Sequence, residues 1–264
     1  MSSVIVAKNL TKEYSQYVKG DLFKIDAIVR KKSSTFAVDS INLSIDEGDF
    51  IAVMGPSGAG KSTLINMLST LDTPTKGSVS IYGKSLNTLR EKDIAEIRYK
   101  TIGFVFQDFN LLELLTCREN IAMPLTLKKE SKKEVDKKVD EIAKILGVED
   151  LLDKYPAQCS GGEKQRIATA RALVAGPKIL VADEPTGNLD SKNSKAVMNF
   201  FKNINNEKNI TIIMVTHDAT VASYARKVLY IKDGRIGNEI DKENKTQKEF
   251  FKEILDLVSE EKEF

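Results

Sequence analysis

The stretch Gly55-Pro56-Ser57-Gly58-Ala59-Gly60-Lys61-Ser62-Thr63 constrains this chain more than any other part of its 264 residues. It follows the apolar run Phe50-Ile51-Ala52-Val53-Met54 and precedes a helix-forming segment, Thr63 to Leu71. A strand, a glycine-rich loop with the spacing G-x-x-x-x-G-K-S and a helix form a P-loop. Glycines let the backbone curl until several N–H groups point at a polyphosphate, and the helix N-terminus adds positive potential. In that geometry Lys61 reaches the β/γ-phosphates and the Ser62 hydroxyl ligates Mg²⁺.

Around this loop the chain alternates between strand and helix. Val4 to Ala7, Ile41 to Ile45 and Phe50 to Met54 read as strands, with Glu47-Gly48-Asp49 as a tight turn. The lysine-bearing segment between Tyr14 and Thr35 shows neither a helical nor a strand period, and its Arg30-Lys31-Lys32 run reads as a solvated loop or hairpin tip. Ser78 to Tyr82 is a strand, residues 85–100 are helical in character, and Ile102 to Phe106 is a strand ending at Gln107. Residues 108–158 have a helical texture. There Ser131 and Glu134 form a capping box, Val135, Val139, Ile142 and Leu146 share one helix face, and Gly147 is the stop.

The alternating pattern resumes at Cys159. Ser160 caps a helix from Gly161 to Ala175, Ile179 to Ala182 is a buried strand leading to Asp183-Glu184, and Lys192 to Asn205 is helical. Thr211 to Thr216 is a strand ending in His217, and Lys227 to Lys232 is another. The tail, Gln247 to Glu260, presents Phe250, Phe251, Ile254, Leu255 and Val258 as one apolar face. The expected fold is α/β, with a mainly parallel core sheet that has ligands beyond the strands' carboxyl ends. The P-loop, Gln107, Asp183-Glu184 and His217 all fall at such ends.

Composition narrows the partners. Forty basic against 38 acidic residues give a net charge of +2, which offers no electrostatic reason to expect nucleic acid. The two cysteines, Cys117 and Cys159, make no metal-type cluster in the sequence and suit a reducing compartment. The N-terminus does not read as a signal peptide, and runs such as Ile210 to Val215 fall far short of the ~20 residues that span a bilayer. These features predict a soluble, cytoplasmic protein that reaches a membrane only through a partner.

The site chemistry follows from the strand ends. Asp183, after an apolar strand behind a P-loop, is placed to hold Mg²⁺ together with Ser62, and Glu184 to orient or deprotonate an attacking water. His217, the single histidine, is placed to hydrogen-bond a γ-phosphate. Ser160-Gly161-Gly162 at a helix start makes a second anion site. One triphosphate does not fill two cradles in one subunit, so a dimer with each nucleotide between two chains is the simple solution.

Taken in order, the P-loop, Gln107, Ser160-Gly161-Gly162, Asp183-Glu184, Asn188-Leu189-Asp190 and His217 resemble an ABC-transporter ATPase subunit over roughly residues 4–240. The resemblance implies a P-loop NTPase with an antiparallel β subdomain and a helical subdomain inserted at about 108–176, followed by a helical tail at 241–264. It also implies a head-to-tail ATP sandwich of two copies with Mg²⁺, in which Ser160 and Gly162 meet the partner's γ-phosphate. Gln107 would link Mg²⁺ and the attacking water to a membrane permease, Asp190 would lie in the loop joining the two sites, and Tyr14 would stack on adenine. The protein would then be peripheral on the inner face of the cell membrane, held there by the permease.

Two features depart from that pattern. The signature that commonly reads L-S-G-G-Q is here Cys159-Ser160-Gly161-Gly162-Glu163, and a long basic insertion follows Tyr14. The segments Gly103 to Leu112, Asp183 to Asp190 and Ile213 to Asp218 resemble the MacB/LolD/FtsE class. Residues 222–224, 230–234 and 247–251 are most similar to its Bce-type, bacitracin-resistance branch. The client implied is an antimicrobial peptide. Lipoprotein release, macrolide efflux and a cell-division complex are alternatives, and a soluble ABC machine without a membrane partner is the alternative of another class.

Overall fold

The computed structural model describes residues 3–18 and 31–260. Its strands are β1 (Ser3–Val18), β2 (Lys31–Asp46), β3 (Phe50–Met54), β4 (Lys76–Ile81), β5 (Lys84–Ser85), β6 (Ile102–Val105), β7 (Ile179–Asp183), β8 (Thr211–Val215), β9 (Lys227–Lys232) and β10 (Arg235–Asp241). Its helices are α1 (Lys61–Leu68), α2 (Glu91–Thr101), α3 (Cys117–Leu127), α4 (Lys132–Leu146), α5 (Gly161–Leu173), α6 (Ser191–Lys208), α7 (Ala219–Ala222) and α8 (Gln247–Glu260).

The central sheet has the order β10-β9-β3-β8-β7-β6, parallel except for the edge strand β10, and a second, antiparallel sheet has the order β2-β1-β4-β5. The central strands are apolar throughout because both of their faces are covered. Phe50, Ala52 and Met54 face one hydrophobic cluster with Leu180, Ala182, Ile212 and Met214. Ile51 and Val53 face the other with Ile179, Val181, Ile213, Val215 and the α1 residues Leu64, Ile65 and Leu68. The period-two alternation of side chains thus divides each strand between two cores.

Several expectations need correction. Residues 14–18 and 31–35 are paired strand, with Tyr14 opposite Thr35 and Val18 opposite Lys31, so β1 and β2 extend well past Tyr14. Lys31 and Lys32 belong to β2, whereas Arg30 lies outside the described residues. Helix α1 starts at Lys61 instead of Thr63, because left-handed Gly60 (φ 98°) turns the chain directly into it. Helix α2 starts at Glu91, and α5 ends at Leu173. On α8 the buried residues are Phe250, Ile254 and Leu257, while Leu255 is exposed. A step of about 100° from Ile254 carries Leu255 off the docked face, and steps of four and three keep the other three on it.

Four helix starts carry the same reciprocal cap. Thr116 and Glu119, Ser131 and Glu134, Ser160 and Glu163, and Thr246 and Glu249 each pair a hydroxyl with the third residue's backbone N–H, and that residue's carboxylate with the capping N–H. All four have the spacing S/T-x-x-E in the sequence. These bonds hold all four glutamates below the usual carboxylate range, the backbone N–H leading for Glu119 and Glu163 and the hydroxyl for Glu134 and Glu249. A lowered folded-state pKa contributes stability above the ordinary glutamate value of about 4.3, which is lost as pH falls through the lowered values. A fourfold Glu→Gln variant keeps the caps but removes their titration. By urea unfolding followed with far-ultraviolet circular dichroism, it should be less stable than the wild type at neutral pH, and the difference should shrink as pH falls through the lowered values; a pH-independent difference would contradict the capping account.

Candidate active site

Four neighbouring strands, β3, β8, β7 and β6, end on the same side of the central sheet. Beyond them lies a cavity of about 430 Å³ lined by Gly55, Ser57, Gly58, Gly60, Lys61, Ser62, Thr63, Gln107, Asp183, Glu184 and His217, together with Ala37 and Val215. The sequence motifs that fell at strand ends are therefore brought to one place. Ala37 and Val215 had no signal of their own, because they contribute small apolar wall and no chemistry.

The loop's shape depends on two glycines. Gly55 has φ 145°, and a Cβ there would sit 2.0 Å from the Ile231 carbonyl oxygen; Gly60 has φ 98°, and its Cβ would sit 1.8 Å from the Ala37 carbonyl oxygen. Gly58 also has positive φ (80°) but nothing within 4 Å of its missing Cβ. Left-handed backbone costs an L-residue roughly 1–2 kcal/mol. Gly60→Ala should therefore weaken ATP binding by more than tenfold, because a backbone clash is added to that strain, and Gly58→Ala should weaken it much less. Titration with a fluorescent ATP analogue would compare them; equal losses would show that the loop tolerates a moved Ala37 carbonyl.

The Lys61 ammonium donates to the carbonyls of Gly55 (3.0 Å) and Pro56 (2.8 Å), curling over the loop. Burial pushes its pKa down, against the pull of Glu184 and Asp183. Burial pushes the Asp183 carboxyl up; the hydrogen bond from the Ser62 hydroxyl and the nearby Lys61 charge oppose this, and Glu184 adds to it. Asp183 and Ser62 are thus oxygen donors already in contact, with a carboxylate whose charge is poorly solvated. A hard divalent cation such as Mg²⁺ fits that donor set.

Glu184 follows with φ 47°, a left-handed conformation rare for a residue with a side chain. Its N–H donates to the Val215 carbonyl at 3.0 Å, and its own carbonyl accepts from Gly187 N at 3.1 Å. That strained turn carries its carboxylate to His217, with Oε1 2.8 Å from Nδ1; the glutamate side chain is 12% exposed and the imidazole 74%. Strain of this kind persists where surrounding contacts over-determine it, and such positions cluster at functional sites.

Other expected residues lie apart from the cavity. Asp190 caps α6, accepting from Asn193 N at 2.8 Å and from the Asn193 amide at 2.7 Å. Ser160 caps α5, and the Glu163 carboxylate accepts from Ser160 N at 2.7 Å. Glu163 therefore closes the capping box at the start of α5, a position that either glutamate or glutamine can serve. Gly161 and Gly162 have helical backbone, and among the described residues a Cβ on either would approach nothing closer than 3.4 Å. Tyr14 is half exposed, donates to Asp72 Oδ2 at 3.3 Å and has the Lys12 ammonium 5.4 Å from its ring centre.

Two links were not legible in the sequence. The Asn188 amide donates to the Gln107 carbonyl at 3.1 Å, joining the loops after β7 and β6. From α5, the half-buried Arg171 donates to the carbonyls of Phe109 (2.7 Å) and Asn110, both of which have left-handed backbone. The Cys159-to-Arg171 region is in this way tied to the Gln107 loop. A lone arginine on a helix looks the same in sequence whether it serves the surface or a buried brace.

This sheet order, with a phosphate loop at the end of β3 and acidic residues at the end of β7, defines a P-loop NTPase. A family model described as ABC transporter matches residues 38–187, and the chain belongs to that family as an ATP-binding subunit, an ATPase. It is 47% identical to the uncharacterized ABC transporter ATP-binding protein YvcR of Bacillus subtilis (strain 168), over 84% of this chain and 86% of that protein. It is 43% identical to the bacitracin export ATP-binding protein BceA of Halalkalibacterium halodurans, over 81% of this chain and 85% of that one. Among solved structures it resembles the dimeric, post-hydrolysis form of the ATP-binding cassette MJ0796 of Methanocaldococcus jannaschii bound to ADP and Pi, with TM-score 0.81, 39% identity, and coverage of 90% of this chain and 98% of that chain.

Proposed function

We propose that this chain works as a Mg²⁺-dependent homodimer that couples ATP hydrolysis to a separate membrane permease in antimicrobial-peptide resistance or export. The observation that carries the shared site is the separation of two anion cradles on one chain. The P-loop cavity holds one, and Ser160-Gly161-Gly162 makes the other without lining that cavity. Among the described residues nothing sterically demands glycine at 161 or 162, as expected if they leave room for a neighbour's phosphate.

In this reading Lys61 and the P-loop N–H groups bind the β/γ-phosphates, and Tyr14 stacks on adenine. Ser62, Asp183 and, through its amide, Gln107 would hold Mg²⁺, which would neutralise phosphate charge. Glu184 orients and accepts a proton from the attacking water, and the exposed Nε2 of His217 reaches the γ-phosphate while Nδ1 meets Glu184. Asp190 sits in the loop that relays one site to the other. Among the described residues no helix is long and apolar enough to cross a membrane, so attachment to the inner face of the membrane would come through the permease.

The permease would dock beside the Gln107 loop, on the helical region 108–176. An apolar groove of about 270 Å³ lies there between β6, α3 and α5, lined by Phe104, Phe106, Met123, Pro124 and Leu127 and edged by Arg98, Lys100 and Arg171. Phe104 and Phe106 stack at 5.6 Å, giving a flat apolar floor. Identity to a bacitracin export subunit supports a peptide client. The test is what co-purifies from detergent-solubilised membranes. A permease with a large extracellular domain is expected, and Leu127→Asp should lower its recovery about tenfold. A purely cytosolic partner would sink this reading.

A further inference from the structure

Cys117 opens α3, and Cys159 immediately precedes the signature serine. They are 42 positions apart in sequence, yet their sulfur atoms lie 3.8 Å apart. Backbone bonds hold them there. Cys117 N donates to the Lys154 carbonyl at 2.8 Å, Arg118 N to the Leu152 carbonyl at 2.9 Å, and Cys159 N to the Pro156 carbonyl at 3.0 Å. The Cys159 thiol also points at the Tyr155 carbonyl, 3.7 Å away. Both cysteines are free; Cys117 is buried and Cys159 half-buried.

We propose that Cys117 and Cys159 form a reversible dithiol–disulfide site that sets the position of the Ser160-Gly161-Gly162 helix start according to cellular peroxide. Burial, with the facing Cys159 thiol next in effect, pushes Cys117 up to about 12, so it stays protonated and the more accessible Cys159 is the first target. Peroxide transfers one oxygen to the Cys159 sulfur, giving a sulfenic acid and one water. The Cys117 sulfur then attacks, the S–S bond forms, the S–O bond breaks, and the hydroxyl leaves as a second water carrying the Cys117 proton. Overall two thiols are oxidised and one peroxide is reduced; a cytosolic thiol reductant reverses the bond by exchange. Transient sensing disulfides are the kind found in reducing compartments.

Closing the bond draws the sulfurs from 3.8 Å to about 2.05 Å. Cys117 is buried at the start of α3 and Cys159 is half-buried, so in this proposal the movement is taken up at Cys159, next to Ser160; a displacement of ~1 Å in a positioning group can cost about a hundredfold in rate. This consequence for turnover rests on the shared-site reading; formation of the bond does not.

The test treats the full-length protein with hydrogen peroxide, caps free thiols, and measures both ATPase activity and the cysteine-linked peptides by non-reducing mass spectrometry. A Cys117–Cys159 cross-link, turnover reduced about tenfold or more, and recovery on adding a thiol reductant are expected. Cys117→Ser should form no such link and keep its turnover under the same treatment, and Cys159→Leu gives a second link-free protein should the first fold poorly. Absence of the intramolecular link, or equal loss of activity in a link-free variant, would overturn the proposal. So would a link with unchanged turnover. In that event a Ser160→Phe variant that still turns over would show that the shared-site reading had failed as well.

Discussion

Replacing Glu184 with glutamine should leave a protein that binds ATP, accumulates as a dimer and turns over about 10²–10⁴-fold more slowly. Glutamine is nearly isosteric, so the strained turn at φ 47° and a hydrogen bond to His217 both remain possible. What disappears is the negative charge and the basicity needed to accept a proton from water. The same change removes a charge that disfavours ionised Asp183, so the metal-binding carboxylate is helped while chemistry is blocked. Light scattering with ATP and Mg²⁺ should show the dimer, and a steady-state phosphate-release assay the lost turnover. An unchanged rate would remove Glu184 from the mechanism.

Ser160→Phe should abolish turnover although every P-loop residue is intact. The cap itself is worth about 1 kcal/mol, too little to unfold the chain. Ser160→Ala measures that loss alone, so similar melting temperatures for the two variants would separate folding from function. The decisive measurement mixes Ser160→Phe with Lys61→Ala. In a head-to-tail dimer of one copy of each, one composite site carries both defects and the other carries neither. Mixing two inactive proteins should therefore restore activity. Without rescue, and with a Ser160→Phe monomer still active, the site would belong to one chain alone.

Much of the phosphate site could be read from sequence because its parts are local. A P-loop works through consecutive backbone N–H groups, and Gly55 and Gly60 hold conformations and close approaches that only glycine allows. Apolar runs such as Phe50 to Met54 and Ile212 to Val215 announce strands buried on both faces, and their ends locate Lys61, Asp183, Glu184 and His217. The α8 helix is legible by its period, but its buried face passes through Leu257 and not Leu255: two periodic sets fit the same apolar content, and only the docked orientation selects Leu257.

What the chain alone determined was the class of chemistry, since phosphate binding and strand burial are written in short-range spacing. Tertiary structure decided which distant groups meet. The Glu184–His217 contact, the Asn188 and Arg171 ties to the Gln107 loop, and the approach of Cys117 to Cys159 all join residues tens of positions apart. No local propensity encodes such pairs, because their geometry is set by how the sheet orders its strands and how α3 and α5 pack against it. The β1–β2 pairing past Tyr14 is of the same kind: its register is carried by cross-strand hydrogen bonds that a single strand's pattern does not contain.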